Sequence, residues 1–203
     1  MDELNYIIYD VQHGSCSHLI TPANQHILID LGSKTEKSIC RYLKEKYFCF
    51  AGTIDELILT HLHEDHIYDL PNLDTYGLNP RIIWRPKAAF PLSYKLSDPS
   101  HYKRVADKAN QLNERYTGVV SDDESPVLHQ NNGGVHFDFF TPPDHLCSED
   151  PNSFSSIIAI TYGGFKIVVT GDNPPNILKE MLRTDTRLYQ CIADATVLVA
   201  PHH

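Results

Sequence analysis

Short apolar runs broken by Gly, Pro and Asn fill the first third of the chain. Tyr6–Val11, Ser17–Thr21 and His26–Asp30 are rich in Ile and Leu and predict three strands. From Ser33 the period lengthens: Ile39, Leu43 and Tyr47 recur four apart, predicting a helix that opens at Ser33. Leu57–Thr60 and Arg81–Arg85 predict two further short strands. Residues 86–130 are polar and hold one amphipathic helix, with Val105, Ala109, Leu112 and Tyr116 on a face, and an acidic loop at Ser121–Ser125. Strands return at Val135–Phe140, Ser156–Tyr162 and Phe165–Thr170, the last two joined by Gly163-Gly164, a two-residue hairpin signal. Asn173 as N-cap and Pro174 at the first helical position predict a helix to about Arg183. A last strand, Thr196–Ala200, runs into Pro201-His202-His203. No repeat or linker interrupts the pattern, so 1–203 is expected to be one α/β domain with an insertion at about 86–130.

Composition narrows the function classes. At 203 residues the chain can bury a sizeable core. Its five cysteines are odd in number and none form a C-x-x-C pair, which suits reduced thiols in a cytoplasmic protein. The acidic N-terminus has no signal-peptide pattern, and no apolar run is long enough to span a bilayer, so no membrane role is expected. A net charge of −9 argues against broad electrostatic binding of nucleic acid, although two bound divalent cations would supply positive charge locally. There is no P-loop and no G-x-G-x-x-G, hence no glycine-loop nucleotide site.

The chemistry is concentrated in Thr60-His-Leu-His-Glu-Asp-His66, directly after a predicted strand. His61 and His63 are two apart, so an extended exit projects both to one side, and Asp65 and His66 follow as the chain turns into a helix. Four ligand-type side chains in six residues can serve two adjacent cations. Imidazole and carboxylate suit zinc, with manganese or iron as alternatives.

His61-x-His63-x-Asp65-His66 resembles the signature of the metallo-β-lactamase superfamily, and other segments are similar in order along nearly the whole chain: Asp10-Val-Gln-His-Gly-Ser, Ile27-Leu-Ile-Asp-Leu-Gly32, Val168-Val-Thr-Gly-Asp172 and the strand ending in His202-His203. The His-His ending and Asn152-x-x-Ser155 resemble one branch, the soluble hydrolase domain of the DNA-uptake protein ComEC and its free-standing relatives. The resemblance implies an αββα sandwich of two mixed sheets flanked by helices. It also implies two divalent ions: His61 and His63 on the first, Asp65 and His66 on the second, Asp172 bridging them and His202 completing the second. His203 is a rival for that last role, because adjacent strand residues point to opposite faces.

Two departures stand out. Asn152 occupies the place where most of the superfamily has a further histidine for the first metal, with Asp144 and His145 as possible substitutes. The chain also stops at His203, where relatives continue with a Gly-Ser turn and more secondary structure, which leaves open whether the sandwich lacks C-terminal elements. Asp30 either orients a ligand histidine or caps the turn before Gly32, and His13 lies in a loop expected to approach the metals.

The expected activity is hydrolysis by metal-activated water, with Asp65 or Asp172 passing a proton to the leaving group. The ComEC resemblance favours a phosphodiester, on a nucleic acid or a small nucleotide. Basic clusters with interleaved aromatics at His101–Arg104 and Arg81–Lys87 could hold a phosphate and stack a base, or be ordinary solvated surface. The alternatives are an ester, thioester or lactone hydrolase on the same scaffold, and a binding or regulatory protein in which Asn152 has weakened the first site.

Overall fold

The computed structural model describes residues 3–33, 38–49, 52–93 and 99–201. Two sheets face each other. In the first, β1 (Asn5–Ile8), β2 (Ser17–Ile20) and β3 (His26–Ile29) run antiparallel, and β4 (Glu56–Ile58) and β5 (Ile82–Trp84) extend the sheet in parallel. In the second, β6 (His136–Phe140), β7 (Ile157–Tyr162) and β8 (Phe165–Val169) are antiparallel, and β9 (Val197–Val199) closes the edge parallel to β8. The tight β7–β8 connection is the expected Gly163-Gly164 turn, both glycines with positive φ.

Alternation along each strand sorts side chains between layers. Ile27 and Ile29 of β3 and Ile58 of β4 meet Ile158 and Ile160 of β7 and Val169 of β8 between the sheets. Leu28 and Leu57 point the other way, into a core with α1 (Ile39–Lys46), α3 (Asn72–Tyr76) and α4 (Ser100–Arg115), where Leu43, Leu73, Val105 and Leu112 are buried. On the far side, Ile157, Ala159 and Val168 pack under α6 (Pro175–Thr184) and α7 (Thr186–Ala193) through Ile177, Met181 and Leu188. Each such side chain contributes about 1.5–3 kcal/mol by leaving water. The layers run helices, sheet, sheet, helices: the αββα architecture of the metallo-β-lactamase fold. Among the described residues no helix is long and apolar enough to cross a membrane.

Several boundaries differ from the sequence pattern, each for a local reason. The first helix opens at Ile39 rather than Ser33, because Ser38 supplies the cap: its backbone is extended and its Oγ accepts the Arg41 amide at 3.2 Å. Asn173 does not cap α6. Pro174 is held extended by the following proline and takes the cap position, so Pro175 becomes the first helical residue. Asn173 instead donates from Nδ2 to the carbonyls of Ser155 (2.8 Å) and Thr170 (3.0 Å). Besides α4, the inserted segment holds a single-turn helix, α5 (His129–Asn132), whose Asn132 ties the turn to the Pro126 and Val135 carbonyls.

Candidate metal centre

β3 and β4 are parallel neighbours, so their C-terminal ends share one edge, the position where open α/β sheets collect ligands. Asp30 follows β3, Thr60 and His61 follow β4, and Asp172 follows β8 of the other sheet. Beyond His61 the chain enters α2 (Glu64–Ile67), a single turn carrying Asp65 and His66. That turn is clamped onto the loops after β1 and β3. The Asp65 carbonyl accepts the Ser15 amide (3.2 Å) and the His66 carbonyl accepts the Leu31 amide (2.8 Å). A Cβ on Gly14 or Gly32 would overlap the Asp65 carbonyl, so close approach requires glycine at both positions.

His61, His66 and Asp172 are all buried, and one ligand-type atom from each lies within 4.8 Å of the others. The His61 and His66 rings are 4.0 Å apart between centroids. His66 Nδ1 is 2.7 Å from Asp30 Oδ2, and its Nε2 is 3.1 Å from Asp172 Oδ2. Asp30 thus meets His66 at the ring nitrogen turned away from Asp172. To do so it adopts φ +60°, and it also accepts the Thr60 amide (2.7 Å) and hydroxyl (2.8 Å).

His61 is fixed by two hydroxyls. Its Nδ1 lies 3.0 Å from Ser155 Oγ and 3.1 Å from Thr60 Oγ1. The Thr60 hydrogen is committed to Asp30, and Ser155 Oγ already accepts the Asp172 amide (2.8 Å). Donation from His61 Nδ1 to either hydroxyl would leave the lone pair on Nε2 facing the cluster. Among the described residues that Nε2 is buried with no hydrogen-bond partner.

Electrostatics divides the two rings. Burial, reinforced by neighbouring His66, holds the His61 pKa well below the usual imidazole range and keeps it neutral. Burial opposes charge at His66 as well, but Asp30 and Asp172 on its two nitrogens outweigh it and push the pKa up to about 10. An imidazolium between two buried carboxylates occupies a place suited to a cation.

The remaining sequence candidates are distributed around this trio. Asp65 is buried, with Oδ1 3.1 Å from His63 Nδ1 and Oδ2 3.4 Å from His13 Nε2. His63 and His13 are 41% and 55% exposed, so this second group faces solvent while the first is enclosed. The Asn152 amide oxygen is buried without a hydrogen-bond partner among the described residues, three residues before Ser155. Asp144 and His145 lie exposed in a 3-10 turn. His202 and His203 lie outside the described residues. The sequence motifs include Thr60 and Ser155 but gave them no role; a hydroxyl beside a ligand-type residue does not show which ring it will meet.

The donors fit a divalent cation. His61 has its Nε2 buried without a partner among the described residues, His66 keeps its Nδ1–H on Asp30 if Nε2 binds a metal, and Asp172 supplies a carboxylate between them. A cavity of about 110 Å³ adjoins His66 and Asp172 and reaches Ala200 at the end of β9. Two imidazoles and a carboxylate are a donor set suited to zinc.

A family model described as anti-Pycsar protein Apyc1 matches residues 10–196. No curated protein matches the sequence. Among solved structures, the metallo-beta-lactamase fold protein YhfI from Bacillus subtilis is similar at TM-score 0.41 and 19% identity over 78% of this chain and 55% of that one. A metallo-beta-lactamase from Cronobacter sakazakii is similar at TM-score 0.46 and 16% identity, covering 93% and 71%. AidC, a dizinc quorum-quenching lactonase, is similar at 0.43 and 17%, covering 76% and 54%. The chain spans about half the length of YhfI and of AidC.

Proposed function

Because the chain belongs to the anti-Pycsar Apyc1 family, we propose that it is a metal-dependent hydrolase of phosphodiesters, acting on a nucleic acid or a small nucleotide. One arrangement carries this: three buried ligand-type side chains, His61, His66 and Asp172, converge within 4.8 Å, and the Nε2 of His61 has no hydrogen-bond partner among the described residues. The ComEC-like segments of the sequence, Asn152-x-x-Ser155 and the His-His ending, point to the same bond.

His61 and His63 would hold one divalent cation and Asp65 and His66 a second, with Asp172 between them and Asn152 and His202 or His203 as further donors. Zinc suits the nitrogen-rich set, with manganese or iron as alternatives. A cation there supplies Lewis acidity toward a phosphoryl oxygen and acidifies water.

The chain's own groups orient the reactants and move protons. Asp30 and the hydroxyls of Thr60 and Ser155 hold the two buried imidazoles in direction. Asp65, flanked by half-exposed His63 and His13, sits where a carboxylate can take a proton from water and release it toward a leaving group. His13, half-exposed beside Asp65, lies on the open side of the centre, where substrate phosphate would arrive.

The test is a manganese- or zinc-supplemented assay on bis-p-nitrophenyl phosphate, single-stranded DNA and a lactone in parallel, with metal content measured on the same protein. Phosphodiester turnover that disappears in His63→Ala and Asp65→Ala is the expected result. Turnover of the lactone alone, or activity surviving those substitutions, would overturn it.

A further inference from the structure

A cavity of about 820 Å³ contains none of the residues of the metal centre. It lies along edge strand β5, between the end of α4, the segment 117–120, and the chain that follows β6. Its volume falls within the range of small-molecule sites.

Three aromatic side chains line it: Trp84, Tyr116 and Phe154. Trp84 is backed by Phe139, stacked at 4.9 Å, so its ring is held in place from behind. Val119, at the cavity wall, is 99% exposed, and Val120 beside it is also exposed. Apolar side chains held out in water at the lip of an aromatic cavity suit a ligand with a flat apolar body.

The charge has a definite sign. Four cations, Arg81, Arg85, Lys87 and Arg115, line the cavity against two carboxylates, Glu124 and Asp144, on a chain whose net charge is −9. Arg85 is 8% exposed and spends its donors on neutral acceptors: Asn113 Oδ1 (2.7 Å), Asn113 O (3.0 Å) and Tyr116 O (2.7 Å). It thereby ties α4 to β5 and leaves a buried positive charge with no carboxylate pairing it among the described residues. Lys87 and Arg115 are exposed at the cavity and are likewise without an ion-pair partner among the described residues.

We propose that this cavity is a binding site for a small anion with an aromatic body, of the nucleoside-monophosphate class, and that it works independently of the metal centre. The ring lies against Trp84, Tyr116 and Phe154, and the anionic group meets Lys87 and Arg115 in the field of Arg85.

Trp84 is the only tryptophan of the chain, so its fluorescence reports the cavity directly. The full chain, stripped of metal with a chelator, is titrated with adenosine 5′-monophosphate, adenosine and inorganic phosphate. The nucleotide should give a saturable change that neither half reproduces at the same concentration. Affinity should fall about tenfold in both Lys87→Ala and Arg115→Ala, exposed positions whose loss removes one charge-assisted contact each. His61→Ala should bind the nucleotide as the parent does. No saturable change, or unaltered affinity in both cation variants, would overturn the proposal. So would a change that needs metal or His61, since it would put the nucleotide at the metal centre instead; that result leaves the phosphodiesterase function intact.

Discussion

Oδ2 of Asp30 lies 2.7 Å from Nδ1 of His66, and both side chains are buried at the junction of the two sheets. The carboxylate fixes which ring nitrogen of His66 is left for the cluster, and it raises the basicity of that nitrogen. Asp30→Asn should therefore weaken zinc binding by about 10–100-fold while the fold persists. Competition against a chromophoric chelator measures it, and unchanged affinity would show that the contact does not orient the ring.

Ser155 joins two elements of the site, meeting His61 Nδ1 and accepting the Asp172 amide. Ser155→Ala leaves that buried amide unpaired and should destabilise the metal-free protein by about 1–3 kcal/mol. Urea unfolding in the presence of chelator isolates this cost from any change in metal affinity. A loss well under that range would mean that water replaces the hydroxyl.

Gly32 and Gly77 separate close approach from backbone strain. A methyl at Gly32 strikes the Asp65 carbonyl, whereas at Gly77 (φ +63°) it meets nothing within 4 Å. Gly32→Ala should displace the His63–His66 turn and abolish metal binding. Gly77→Ala should cost only about 1 kcal/mol of stability from its left-handed backbone and leave metal binding intact. Equal effects on metal titration would contradict the clamp between these loops.

Glu56 in β4 is 2% exposed, its Oε2 has no hydrogen-bond partner among the described residues, and burial pushes its pKa up to about 8. The unfolded chain binds this proton only below the ordinary carboxylate range, so between the two values the folded state holds the extra proton. Stability should then fall as pH rises from the ordinary glutamate value toward 8, by about 1.4 kcal/mol per pH unit from this group. Glu56→Gln should flatten that dependence in denaturation curves taken at several pH values. A slope unchanged by the substitution would assign it to other groups.

Metal that binds only the folded chain stabilises it by mass action, about 2.7 kcal/mol at a free concentration 100-fold above Kd. Thermal unfolding should shift upward with added zinc in the parent and much less in His61→Ala. An equal shift in both would place the ion elsewhere.

Two of the three clustered residues, His61 and His66, were legible because they fall in one six-residue run directly after a predicted strand. The layers were expected from the resemblance alone, because Ile27, Leu28 and Ile29 are uniformly apolar and only the folded sheet divides them between two cores. What the sequence hid depends on distance in the chain. The meeting of His61 with Ser155, 94 residues away, requires the two sheets to be docked. The start of α6 was misplaced because two prolines compete for the first turn, and backbone sterics favours the second. Helix α7, with a half-apolar sequence and a cap from Asp185 at the end of α6, was unseen because one helix runs almost directly into the next.

Asp30, His61 and His66 come from the first sheet, Ser155 and Asp172 from the second. An ion held by His61, His66 and Asp172 would therefore span the seam of the sandwich, with donors from both halves. Bound metal would then report that the two halves have closed on each other, and any strain that parts the sheets, wherever applied, would be felt first as loss of the ion.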